Sequence, residues 1–209
     1  MKTFVFLASL LIAVFAENIN ALACDPSNTY TTSSFSYGTP PCALTATYCC
    51  EIDPLTGDII ITFLSLQPDT PGDNCVDAYI QNPYFQAFVE NNIMVHFANN
   101  SSCAGSVKPC PDNTVHLVYT RGACWLISNT VISNGMGGYT HVRAYACCPD
   151  ANCETRYTVC LDYNTFPATL QRTLLSKTMV GTLTCSPDSP ILPPDTYNWS
   201  TPCFQVSCY

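Results

Sequence analysis

Residues 42–64 read CALTATYCCEIDPLTGDIIITFL. Small and apolar residues alternate from Ala43 to Tyr48 and run into Cys49-Cys50. Asp53-Pro54-Leu55-Thr56-Gly57 reads as a turn, because Asp bonds its own backbone, Pro presets φ and Gly accepts positive φ. Asp58 to Leu64 is then rich in β-branched and aromatic residues. Strand, turn and strand predict an antiparallel hairpin, and with it a mainly β chain. A similar order recurs later. Val142 to Ala146 lead into Cys147-Cys148, Pro149 to Asn152 turn, and Tyr157 to Leu161 return. Aligning the two cysteine pairs sets Ile59, Ile61 and Phe63 over Tyr157, Val159 and Leu161. Two similar hairpin halves, at 42–66 and 139–164, are therefore expected.

Between them lies one helix candidate. Asn82 suits an N-cap and Pro83 the first helical position, where a missing N–H costs nothing. Phe85, Phe88, Val89, Ile93, His96 and Phe97 then share a face, with Gln86, Glu90 and Asn91 outside, and Asn99-Asn100 close it. Val115 to Tyr119 and Cys124 to Ile127 read as strands joined through Arg121-Gly122. Thr173 to Thr184 reads as a strand pair pivoting near Gly181. Pro187 to Pro194 reads as coil, and Cys203 to Cys208 as a stapled terminal strand. Residues 25–41, rich in Ser, Thr and Tyr, read as an extended arm or edge strand ahead of the cysteine-rich β domain at 42–209.

The ends of the chain set its compartment. Lys2, the apolar run Phe4 to Ala16 and the small residues before Cys24 fit a secretory signal peptide over 1–23, cleaved after Ala23 or, in a second option, after Ala16. The apolar run is too short for a transmembrane span, which needs roughly 20 residues. Fifteen cysteines follow, a density that belongs to exported disulfide scaffolds. A secreted or cell-surface location follows from both.

An odd count leaves one thiol without an internal partner. Cys24, at the mature N-terminus, is the candidate unpaired or intermolecular cysteine. Lipidation of Cys24 would also leave an even number, but Glu17, Asn18 and Asn20 separate it from the apolar core and Ala21 stands where such sites carry Leu. Cys42 and Cys49 are seven apart in a strand, too far to bond. Cys103 and Cys110 share that spacing across a looping Ala-Gly-Ser segment and form a candidate disulfide. Cys49, Cys50, Cys147 and Cys148 read as structural half-cystines, adjacent members pointing to opposite faces.

Motifs for catalysis are sparse. The net charge is −8, and the seven Lys and Arg are scattered, one of them in the leader, which argues against nucleic acid. No Cys-x-x-Cys, phosphate loop or dinucleotide fingerprint occurs, so no metal or cofactor is called for. Gly122-Ala123-Cys124-Trp125 echoes papain-like proteases, yet the chain ends before that family's histidine would arrive. Cys124 therefore reads as a half-cystine beside a packed Trp. Asn99, Asn100 and Asn198 lie in acceptor triplets for N-glycosylation.

Tyr48-Cys49-Cys50, the turn at Asp53 to Gly57, Arg121 to Trp125, and Cys147-Cys148 leading to Tyr157-Thr158-Val159-Cys160 together resemble a group of exported cysteine-rich proteins of Bacteroidota-type bacteria. The resemblance implies a bacterial cell-surface role and supplies no activity or catalytic residue. The expectation is a disulfide-stapled antiparallel sheet built from hairpins with one amphipathic helix. Its function is expected to be structural or adhesive and without catalysis, with self-assembly or another surface protein as partner and the arm adding to a neighbour's sheet. Two alternatives stand beside it: a glycan- or other ligand-binding module using Tyr197 and Trp199, and a hydrolase around His116 and His141.

Overall fold

The computed structural model describes residues 24–111, 114–133 and 137–208. The signal-peptide reading for 1–23, with both cleavage options, lies outside them. The first hairpin is present: β3 (Cys42–Ile52) pairs antiparallel with β4 (Ile59–Pro68). Asp53 Oδ1 accepts from Leu55 N at 2.8 Å, and Gly57, at φ 75°, returns its N–H to Asp53 O at 2.8 Å. A bulge at Leu64 shifts the register between Thr47 and Tyr48. Inward residues of β4 accordingly change from Ile59, Ile61 and Phe63 to Leu66 and Pro68, so both halves of the strand keep their apolar side on the core.

The second expected hairpin does not form. β7 (Tyr139–Cys147) pairs with β6 (Cys124–Ser133) and β4, whereas β8 (Ala151–Asp162) pairs with β5 (Val115–Gly122) and β9 (Thr169–Gly181). β5-β6 and β7-β8 form one long hairpin bent at Ala123 and at Cys148 to Asp150. Ala123 N bonds Ala151 O and Cys148 N bonds Cys124 O, each at 2.7 Å, across the bend. β4 lies in the fold of the bend, parallel to β5 at Ile59 to Thr62 and antiparallel to β7 at Ser65 and Leu66. Cys147-Cys148-Pro149 is thus a corner between two halves of a sheet. A corner and a tight turn use the same residues locally, and only the partner strands tell them apart.

β9 is likewise a single strand, with Gly181 at φ 94° ending it rather than pivoting a pair. The arm does not extend away. β1 (Thr29–Thr31) and β2 (Phe35–Tyr37) pair with β3 of the same chain. At the other side, β10 (Trp199–Ser200) and β11 (Phe204–Gln205) pair with β6.

Helix α1 (Pro83–Asn100) starts as its sequence predicts, with Asn82 Oδ1 accepting from Tyr84 N at 2.9 Å. It buries Phe85, Val89, Ile93 and Phe97 against the sheet. Gln86, expected outside, is buried because its Nε2 donates to Ile80 O at 2.7 Å. Trp125 stacks on Phe63 at 5.1 Å and donates Nε1–H to Gly122 O at 2.8 Å, so its polar atom is satisfied in the core.

Candidate functional site

Seven disulfides form among the described residues: Cys24–Cys49, Cys42–Cys75, Cys50–Cys103, Cys110–Cys160, Cys124–Cys185, Cys148–Cys203 and Cys153–Cys208. Three cysteine readings need correction. Cys24 is bonded, because a capped turn at Pro26–Asn28 folds it back over Cys49. Cys103 and Cys110 do not bond each other. Cys103 sits in a turn directly after α1 facing Cys50, while the chain beyond it runs alongside β8, where Cys110 N bonds Leu161 O at 3.0 Å. The odd cysteine is Cys147, buried and left over because the other fourteen are paired with one another. Its neighbour Cys148 points the other way and reaches Cys203. Cys124, bonded to Cys185, is no nucleophile. Cys24, Cys49 and Glu51 cluster within 4.8 Å, but the two sulfurs are joined and offer no thiolate to a metal.

The histidines of the hydrolase alternative are separated. His116 is on β5, exposed, with Nδ1 3.6 Å from Asp58 Oδ1. His141 is on β7, with Nε2 3.6 Å from Asp195 Oδ2. Around His141 the structure builds a charge network. Arg143, 4% exposed, donates NH1 to Asp77 and NH2 to Asp195 Oδ1 at 2.7 Å, and Tyr145 OH donates to Asp77 Oδ1 at 2.8 Å. The network clamps the C-terminal segment to β6 and β7. Trp199 belongs to the same clamp. The Arg143 guanidinium lies 5.2 Å from its ring centroid, and its Nε1–H donates to Pro194 O at 3.0 Å. Tyr197 is exposed and Trp199 half-buried.

The feature that sequence reasoning missed is the outer edge of β9. Among the described residues the sheet order runs β10-β6-β7-β4-β5-β8-β9 and ends there, with β8 the one strand that pairs with β9. Leu174, Leu175, Met179 and Val180 remain 51%, 53%, 47% and 47% exposed. β8 beneath it is fixed near both ends by Cys110–Cys160 and Cys153–Cys208. The ribbon also collects cations: Arg156, Arg172 and Lys177 lie on it, while Arg121 and Arg143 are buried. Arg156 pairs with Glu154 at 3.1 Å, and Arg172 meets Asn91 at 2.9 Å and Glu90 at 3.9 Å. Lys177 makes no ion pair among the described residues. The signal was present in 169–181, whose apolar residues follow no single face, but the sequence does not say which strand ends a sheet.

Comparison with protein families, with characterised proteins and with solved structures finds no match to this chain. No helix among the described residues is long and apolar enough to cross a membrane.

Proposed function

We propose that the protein is a secreted or cell-surface structural or adhesion module, without catalytic activity, that joins another protein by accepting a strand at β9. The free β9 edge carries this reading. A strand of thirteen residues offers roughly half its N–H and C=O groups outward, since pairing directions alternate along a ladder. Edges of this length and apolarity are ordinarily covered, because they template pairing with other chains. The disulfides on β8 support the reading in a second way, since a pre-organised edge loses less entropy on binding. The expected donor, the N-terminal arm, is occupied on β3 of its own chain, so the neighbour supplies the added strand.

Lys177 sets the partner chemistry. In the central antiparallel register of two β9 edges, Lys177 stands opposite Thr173 and gains no counter-charge, whereas an opposite charge placed across from it is stabilising. An extended segment with acidic residues alternating with apolar ones complements the edge. A bacterial cell-surface setting belongs to the same proposal.

The test uses the oxidised protein and two synthetic strands, one alternating Val with Glu and one alternating Val with Lys. Binding of the acidic strand with slowed amide hydrogen exchange along β9, lost in the Leu175→Lys/Val180→Lys variant, is the expected result. Concentration-dependent self-association that the same variant abolishes would replace the acidic partner with a second copy. A monomer that binds neither strand overturns the proposal.

A further inference from the structure

A shallow groove of about 210 Å³ separates the chain at Thr32–Phe35 from the second half of α1. We infer that this groove binds a single neutral sugar ring. Strand register opens the groove. Thr31 faces Thr47 and Phe35 faces Leu44, so three residues of the arm stand opposite two of β3. Thr32 keeps contact, giving its N–H to Ala46 O at 2.9 Å and accepting from Ala46 N through Oγ1 at 3.0 Å. Ser33 and Ser34 are pushed outward, and neither hydroxyl makes a hydrogen bond among the described residues.

Across the groove, the amides are pre-set as acceptors. Asn92 Nδ2 donates to Phe88 O at 2.9 Å and Asn99 Nδ2 to Val95 O at 2.8 Å. Each therefore has Oδ1 left for an incoming hydroxyl. His96 is fixed between them, its Nδ1 3.0 Å from Tyr48 OH and its ring edge-on to Tyr48 at 5.8 Å. Burial lowers the pKa of His96, so the imidazole is neutral at neutral pH. Phe35 supplies an apolar ring on the groove wall.

The chemical class follows from this lining. No Asp, Glu, Lys or Arg lines the groove, so an ionic ligand would lose hydration without gaining a counter-charge. Hydroxyls and amide oxygens match a ligand that both donates and accepts at several points, and one aromatic ring matches its apolar face. The volume is below the ~300 Å³ at which pockets for drug-sized ligands begin, which favours one ring over an oligomer. Such a ring has two sources: a glycan on another molecule, or one attached to this chain at Asn99 or Asn100.

Glucose, galactose, mannose and N-acetylglucosamine at millimolar concentration are the probes, read by saturation transfer and by the His96 imidazole signals. The oxidised chain is prepared both without glycosylation and from a glycosylating host. At least one sugar is expected to shift His96 in the unglycosylated protein, with affinity falling tenfold or more in Ser34→Leu and in Asn92→Ala. Binding confined to the unglycosylated form assigns the groove to the chain's own glycan, and binding in both assigns it to a partner's. If no sugar moves His96, or if Ser34→Leu binds as the wild type does, the inference is wrong.

Discussion

The N–H of Gly122 donates to the sulfur of Cys147 at 3.1 Å, in the corner where the long hairpin bends. A Cβ on Gly122 would lie 2.7 Å from Cys147 Cβ and 2.9 Å from Cys124 O. The glycine therefore belongs to a close approach of two strands, not to an unusual backbone angle. Gly122→Ala is expected to cost about 1–3 kcal/mol, as overpacking in a fixed core does. Urea unfolding of the oxidised protein measures it, and a change below about 0.5 kcal/mol would show that the corner is looser than this contact implies.

The same corner decides which thiol reacts. Cys147 is buried, and burial pushes its thiol up to about 12 from an ordinary 9.0. Since the thiolate is the reactive species, the native protein at pH 8 should resist iodoacetamide. Unfolded without reductant, it should take up one label per chain, at Cys147. Labelling of Cys24 in the native protein would contradict the Cys24–Cys49 bridge.

That pKa also fixes a sign for stability. The folded value is raised, so the folded state holds the proton more tightly than the unfolded chain. The stability it contributes is complete below about pH 9 and is lost as pH rises towards 12, by ~1.4 kcal/mol for each unit between them. Cys147→Ala should flatten this part of the stability curve. Unchanged alkaline sensitivity in Cys147→Ala would assign the loss to other groups.

Arg143 is the charge whose removal should matter most. It is 4% exposed, while its partners Asp77 and Asp195 are 24% and 28% exposed. Arg143→Met leaves both carboxylates facing an apolar stem, and breaking a buried pair from one side costs about 3–5 kcal/mol. Because the carboxylates keep part of their hydration, about 2–4 kcal/mol is expected, with faster proteolysis in the coil around Asp195. Asp58→Asn, beside the exposed His116, should change stability by less than about 0.5 kcal/mol. Equal effects of the two substitutions would mean that Arg143 is not holding the C-terminal segment.

What was legible in the sequence follows the range of each signal. The β3–β4 hairpin and the start of α1 are specified within a few residues, by Asp53, Gly57, Asn82 and Pro83. The corner at Cys147 to Asp150 was misread because its meaning lies in β4, some eighty residues earlier. Glu90 looked external by helical period, yet it accepts a hydrogen bond from the hydroxyl of Tyr157, on a strand that periodicity cannot place. Cys49, Cys50, Cys124 and Cys148 are half-cystines as expected, whereas the Cys103–Cys110 pairing failed for the same reason. Loop length between Cys103 and Cys110 permits a bridge, and the competing contact of Cys50 with the end of α1 is invisible locally. The functional features, a free edge and a groove beside a displaced arm, both arise from sheet order and register.

Two of the three bridges that anchor the C-terminal segment provide the sharpest test of the disulfide map. Cys148–Cys203 and Cys153–Cys208 each span 55 residues. Taken alone, closing such a loop restricts the unfolded chain by about 4 kcal/mol on the chain-entropy model. The bridges are not independent, because their half-cystines are offset by five residues at both ends. With Cys148–Cys203 intact, Cys153–Cys208 closes a ring of only about ten residues, worth about 3 kcal/mol on the same model. Cys153→Ser/Cys208→Ser should therefore cost about 3 kcal/mol, and removing both bridges about 7. Denaturant unfolding of the three oxidised forms measures the series. Equal losses of about 4 kcal/mol at each step would show two loops that do not share a path. That result would exclude this pairing, and with it the fixed β8 on which the β9 edge is presented.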